Sequence, residues 1–224
     1  MKFKFIPILV FISGLSFLPA GETTESLNRK TLSTPYHQEE VHTSPFQEGN
    51  MSFEAMAGPF FSPITGKSGT RPDFDFVSTS LRLGWMLSTP GETETWNRGN
   101  WEALLDLQTS GIFNGAGNVM VGPALLLRYN FVQPDWKWVP YVQIGGGVVY
   151  TDAYQDQNQR LIGQAVEFTP QAAAGFHYFL NQNWSLNAEL SFMHVSNANM
   201  ASRNVGVNAL GGMVGFSYFC DPHL

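Results

Sequence analysis

From Met51 onward the chain alternates between apolar and polar residues with a period of two. Between Trp184 and His194 the even positions carry Trp184, Leu186, Ala188, Leu190 and Phe192, and the odd positions carry Ser185, Asn187, Glu189 and Ser191. Between Val119 and Phe131 one face carries Val119, Val121, Leu125, Leu127, Tyr129 and Phe131, and the other carries Arg128 and Asn130. Trp101, Ala103, Leu105 and Leu107 oppose Asn100, Glu102, Asp106 and Gln108, while Val77, Leu81, Leu83, Trp85 and Leu87 oppose Asp75, Ser78, Ser80 and Arg82. Side chains on a strand alternate between faces, so this period is that of half-buried β-structure. The pattern predicts eight strands near 51–61, 74–88, 99–113, 119–131, 138–150, 165–180, 184–194 and 208–219, bounded by Gly, Pro, Asn or Asp. Long helical periodicity is absent.

The charges fix which face is inside. Glu54, Arg82, Glu102, Asp106, Arg128 and Glu189 fall in mid-strand on the polar face, where contact with lipid is costly. They suit the polar interior of a membrane barrel whose apolar row faces outward. Trp85, Trp101, Trp138, Trp184, Phe131 and Tyr218 lie near strand ends, as interfacial aromatics do. The predicted fold class is all-β: an eight-stranded antiparallel transmembrane β-barrel of the outer-membrane type, with a lumen filled by side chains. Closure satisfies every backbone polar group within the bilayer. A soluble lipocalin-like barrel also has eight strands, but its apolar row faces inward.

Ahead of the barrel, Lys2 and Lys4 precede an apolar run from Phe5 to Leu18 and the small residues Ala20 and Gly21. Residues 1–20 read as a secretory signal peptide. The run falls short of the ~20 apolar residues a membrane-spanning helix needs. Residues 21–50 are polar and aperiodic and read as a disordered extension, leaving 51–224 as the barrel. An even strand number puts both termini on the periplasmic side. The links at 62–73, 114–118, 151–164 and 195–207 then face outward. The net charge of -6 gives no electrostatic reason to expect nucleic-acid binding. A single cysteine, Cys220, excludes an intrachain disulfide framework.

His194-Val195-Ser196-Asn197-Ala198 stands where the seventh strand runs out. Residues i and i+2 of a strand share a face, so His194 and Ser196 are neighbours. A histidine within reach of a serine is the minimal machinery of nucleophilic acyl transfer. If Phe192 faces Leu210 across the last two strands, then His194 faces Asn208, because opposed residues share a face. This register gathers His194, Ser196 and Asn208 on the lipid side, a costly place for a polar cluster without a function. Taken alone, His194 also fits an interfacial histidine and Ser196 an ordinary loop serine.

H-x-S-N-A at this point of a signal-bearing eight-stranded barrel resembles the PagL-type lipid A 3-O-deacylases, the acyloxyacyl hydrolases. In residues the resemblance is specific from about 188 to 217. It implies an outer-membrane location and lipid A, or lipopolysaccharide, of the outer leaflet as substrate. It further implies Ser196 as nucleophile, His194 as general base and Asn197 as part of the oxyanion hole with a nearby backbone N–H. Family members carry a glutamate where this chain has Asn208. An amide can orient an imidazole but does not stabilise imidazolium as a carboxylate does. Asn208 therefore leaves open a slower hydrolase, an Asn-assisted dyad, or a relative without turnover.

Arg203, beside the motif, is a candidate contact for a lipid A phosphate or a solvated loop arginine. His177 falls on the lumenal row, and Gly145-Gly146-Gly147 reads as relief of crowding within a strand. No metal-ligand spacing is present, so neither a metal nor a cofactor is assigned. The alternative to an esterase is a non-catalytic eight-stranded barrel with a structural or adhesive role.

Overall fold

The computed structural model describes residues 44–62, 74–93 and 95–222. The expected signal peptide and most of the expected N-terminal extension lie outside the described residues. The strands are β1 (Met51–Phe61), β2 (Phe74–Met86), β3 (Asn100–Gly115), β4 (Val119–Asn130), β5 (Trp138–Thr151), β6 (Val166–Phe168), β7 (Gln171–Phe179), β8 (Trp184–Val195) and β9 (Val207–Cys220). Each pairs antiparallel with its neighbours in the order β4-β3-β2-β1-β9-β8-β7-β5, and β4 pairs with β5 to close the barrel. β6 and β7 form one stave. Both pair with β5, and their common register continues across Thr169-Pro170 to a bridge between Phe168 and Ser196. Nine strand segments thus make eight staves.

The two rows of each strand separate as the alternation requires. Leu81, Leu125, Leu190, Val214 and Phe216 are exposed on the outer surface. Glu54, Arg82, Glu102, Asp106, Arg128, Glu189 and His177 are buried inside. Arg82 binds Glu54 at 2.6 Å, Asp106 at 3.2 Å and both carboxylate oxygens of Glu189 at 2.8 and 3.1 Å. Arg128 reaches Glu54 at 3.0 Å and Glu102 at 3.5 Å, and lies 4.1 Å from the Tyr141 ring centroid. The Tyr141 hydroxyl donates to Glu189 at 2.8 Å. Paired and hydrogen-bonded in this way, the charges avoid most of the penalty of burial.

The lumen departs from a uniformly polar interior. Apolar clusters cap the network at both ends. Met56, Phe60, Phe74, Phe76, Met193, Val195, Val207 and Ile162 belong to one cap. Phe46, Met86, Val132, Val139 and Phe219 form the other. Phe46 corrects the expected boundary at residue 50. Residues 44–50 are part of the folded unit, with the Phe46 ring 5.4 Å from Phe219 and 5.7 Å from Phe179. Gly49 N–H donates to the Met86 carbonyl, and Met86 N–H to that of Asn50. Alternation cannot announce a one-turn plug, because a turn has no period.

Three Trp–Tyr pairs stand at the rim that Phe46 plugs. Trp101 meets Tyr129 at 4.8 Å, Trp138 meets Tyr178 at 4.6 Å and Trp184 meets Tyr218 at 4.9 Å. The β2–β3 connection there runs from 87 to 99, while the other two are shorter, at Pro134-Asp135 and at 181–183. In the latter, Asn181 Oδ1 accepts N–H groups of Asn183 and Trp184. In the glycine run of β5, a Cβ on Gly147 would fall 2.7 Å from that of Ala124, so crowding against β4 explains it. The opposite rim carries the 152–165 and 196–206 loops, the short 116–118 turn and the end of β8.

Candidate functional site

β8 and β9 pair from Trp184↔Tyr218 through Phe192↔Leu210 to His194↔Asn208. This is the register that the matching of apolar rows predicts. It sets the His194 ring beside the Asn208 amide, with Nδ1 and Oδ1 2.6 Å apart. An amide oxygen accepts only, so the imidazole donates through Nδ1–H, which leaves the lone pair on Nε2. Both side chains are half-buried. Behind them Val195 and Val207 point inward and are fully buried in the apolar cap.

Ser196 follows β8 on the same outward row. Its N–H donates to the Phe168 carbonyl at 3.1 Å, and its carbonyl accepts Phe168 N–H at 2.8 Å. His194 N–H donates to the Pro170 carbonyl at 2.9 Å. The backbone of both residues is therefore held by the β6–β7 stave, and His194 is also paired with Asn208 of β9. Among the described residues, Ser196 Oγ has no hydrogen-bond partner. The structure brings His194 and Asn208 together and leaves the serine–histidine bond unmade. Such bonds are often long in unliganded sites and tighten around substrate.

Asn197 occupies a different place from the one the resemblance implies. Alternation turns it inward, and it is fully buried. Its Nδ2 donates to the Arg203 carbonyl at 3.0 Å, and its N–H donates to Asn204 Oδ1 at 3.0 Å. A side chain so enclosed braces the 197–204 loop and is not presented to a ligand on the outer face. The loop begins with a tight turn in which Met200 N–H reaches the Asn197 carbonyl at 3.0 Å. Ala198 and Asn199 have φ of 53° and 65°. Positive φ at alanine costs roughly 1–2 kcal/mol, so the surrounding loop has to impose it. Among the described residues, the Ala198 and Asn199 N–H groups have no acceptor.

Arg203 is a clamp between loops. Its guanidinium donates to the carbonyls of Asp156 at 2.8 Å, Tyr154 at 2.8 Å and Gln159 at 3.4 Å. Two backbone bonds join the same loops: Val205 N–H to the Arg160 carbonyl and Gly206 N–H to that of Leu161, each 3.1 Å. Glu167, buried and directly across from Asn197, accepts the N–H groups of Gly163 and Gln164. Asp152 holds the neighbouring β3–β4 turn through Asn118 N–H at 2.7 Å and Val119 N–H at 3.1 Å. Burial pushes its carboxyl up, but these donated hydrogen bonds outweigh that and hold it below the usual carboxylate range.

Gly206 belongs to the site although its sequence position marks only a loop. Its φ is +75°, and a Cβ there would sit 3.1 Å from His194 Cε1 and 3.5 Å from Nε2. Glycine keeps open the space beside the nitrogen that carries the lone pair. The signal was a glycine one residue before a strand, which is too common to single out.

A lipid-facing His/Asn pair with an adjacent serine, at one rim of a closed eight-stranded barrel, defines an outer-membrane barrel with a surface site. The family described as Lipid A 3-O-deacylase (PagL) matches residues 79–217, more than half of the chain. The chain belongs to the PagL family. Among solved structures it is similar to the outer membrane enzyme PagL, with 20% identity, 75% of this chain and 98% of that one covered, and a TM-score of 0.51. The outer membrane protein OprG from Pseudomonas aeruginosa aligns at 16% identity over 81% of this chain and 99% of its own, with a TM-score of 0.47. No curated protein matches the sequence.

Proposed function

We propose that the protein is an outer-membrane esterase that removes the 3-O-linked acyl chain of lipid A. The observation that carries this reading is the His194–Asn208 pair, 2.6 Å apart on the lipid face, in a chain of the PagL family with Ser196 on the same row. Ser196 Oγ attacks the ester carbonyl while His194 Nε2 takes its proton. The N–H groups of Ala198 and Asn199 are the donors for the oxyanion, and Asn197 holds that turn in place. His194 then gives the proton to the departing sugar oxygen, which leaves as a hydroxyl. Water, activated by the same nitrogen, hydrolyses the acyl-serine and releases a 3-hydroxy fatty acid. Lipid A sits in the outer leaflet, so a site on the outside wall meets it without lifting it from the membrane.

The test is mass spectrometry of lipid A from an outer-membrane host expressing the wild type or Ser196→Ala. Loss of one 3-hydroxyacyl chain with the wild type alone supports the reading. Unchanged lipid A in both, with the barrel folded in the membrane, refutes it. A second reading is a non-catalytic barrel. It is favoured by the amide at Asn208 and by a Ser196 Oγ that makes no bond to His194.

A further inference from the structure

We infer that the cleft between the 156–160 and 199–205 loops is a subsite for the phosphate-bearing sugar headgroup of the lipid, with Arg160 as its principal charged contact. This rests on the deacylase reading above. The cleft has a volume of about 670 Å³, and Gln157, Asn158, Arg160, Asn199, Ser202 and Arg203 line it. Amides, a hydroxyl and two guanidiniums suit a sugar phosphate and offer little to an acyl chain. Neither arginine forms an ion pair among the described residues. Arg203 spends its donors on carbonyls, which fix the guanidinium but leave its charge uncompensated. Among the described residues, Arg160 contributes only its backbone carbonyl to the loop, and its exposed side chain makes no hydrogen bond. The carboxylate of this loop, Asp156, caps Asn158 N–H at 2.9 Å and does not line the cleft.

Position relative to the reacting atoms supports the same assignment. The cleft wall at Val205 adjoins Gly206, which flanks the His194 ring. Below His194 the outward row is apolar, with Leu190, Phe192 and Leu210 exposed. An ester joins an acyl chain to an alcohol. With the chain along that apolar row and the carbonyl at Ser196, the alcohol side has to lie beyond the serine, toward the loops. That is where the two guanidiniums stand. A bidentate guanidinium–phosphate contact there adds affinity and also sets which ester reaches Ser196.

The experiment measures binding rather than turnover. Folded Ser196→Ala protein in nanodiscs is titrated with bisphosphorylated lipid A and with the same lipid after removal of both phosphates. Inorganic phosphate is titrated separately. The expected result is a five- to tenfold preference for the phosphorylated lipid, roughly what one partly exposed charged contact supplies. Arg160→Gln removes the preference and Arg160→Lys keeps most of it. Persistence of the full preference in Arg160→Gln, or its absence in the parent, would overturn the assignment. Saturation by inorganic phosphate without any preference between the lipids would overturn it in favour of a free-anion site. A wild type that binds with the preference yet cleaves no lipid A refutes the deacylase reading and leaves the headgroup site standing. Circular dichroism and heat-dependent gel mobility confirm that each variant is folded.

Discussion

Replacing Asn208 by aspartate tests the chemistry at its weakest joint. The substitution keeps side-chain length and puts a carboxylate where the amide oxygen now lies 2.6 Å from His194 Nδ1. In the proposed attack by Ser196 the imidazole becomes positive. Unit charges about 4 Å apart interact by about 4 kcal/mol at an effective dielectric of about 20, which suits a half-buried pair at a surface. That corresponds to a rate factor of about 10³. The reverse change, acid to amide, cost about 10⁴ in a serine protease where the pair is buried. Exposure at the head-group level argues for a smaller gain, so Asn208→Asp should react about 10²- to 10³-fold faster than the wild type. Asn208→Ala loses only a neutral hydrogen bond, worth about 1 kcal/mol, and should slow by about tenfold or less. The assay is single-turnover release of 3-hydroxy fatty acid from lipid A, normalised to folded barrel. An aspartate variant no faster than the wild type would show that no positive charge develops on His194, and the general-base assignment would fall.

Three further outcomes follow from individual contacts. Gly206→Ala places a methyl 3.1 Å from His194 Cε1 in a left-handed backbone, so deacylation should fall by at least tenfold while the strand signal in circular dichroism persists. Asp152 is held below its ordinary value of 3.8 by the donors of Asn118 and Val119. The tie is therefore complete above about pH 3.8 and is lost as pH falls through the lower folded value. Hydrogen exchange at the Asn118 and Val119 amides should accelerate on that acid limb only, and Asp152→Asn should abolish the pH dependence. Phe46→Ala empties the apolar plug and should cost about 3–5 kcal/mol in urea unfolding; no change would show that residues 44–50 do not contribute to the barrel.

The staves and the His194↔Asn208 register are legible in the sequence because one short period governs both. Each strand carries its charges on one row. A slip by one residue between β8 and β9 would move Glu189 to lipid and His194 to the lumen, so only one register satisfies both rows. Contacts without a period are not legible. The burial of Phe46, the clamp of Arg203 on three carbonyls and the enclosure of Asn197 depend on how loops meet after the barrel has closed. Asn197 shows the difference most clearly. The motif places it beside the serine in the chain, yet the alternation that turns Ser196 outward turns its neighbour inward. The apolar caps are half legible: Met56, Phe60 and Phe76 break the polar row of their strands but read as noise until the ends of the lumen are known.

The same strand that ends in the site is anchored from within. Glu189, on the inner row of β8, binds Arg82 through both carboxylate oxygens, and Arg82 also holds Glu54 and Asp106. Charge counting makes Arg82 more important than any one of its partners. Among the described residues, Glu54, Glu102, Asp106 and Glu189 form ion pairs with Arg82 and Arg128, so each guanidinium offsets several carboxylates. Arg82→Met leaves three of those carboxylates without their shared cation and should destabilise the barrel by about 3–5 kcal/mol, the range for an orphaned buried charge. Glu54→Gln removes one of the excess negative charges and keeps an amide that can still accept from a guanidinium. It should therefore cost less than half as much. Urea unfolding of the two variants in the same detergent orders them directly. A Glu54→Gln barrel weaker than Arg82→Met would mean that individual hydrogen bonds, not the charge balance, hold the lumen and the register of β8.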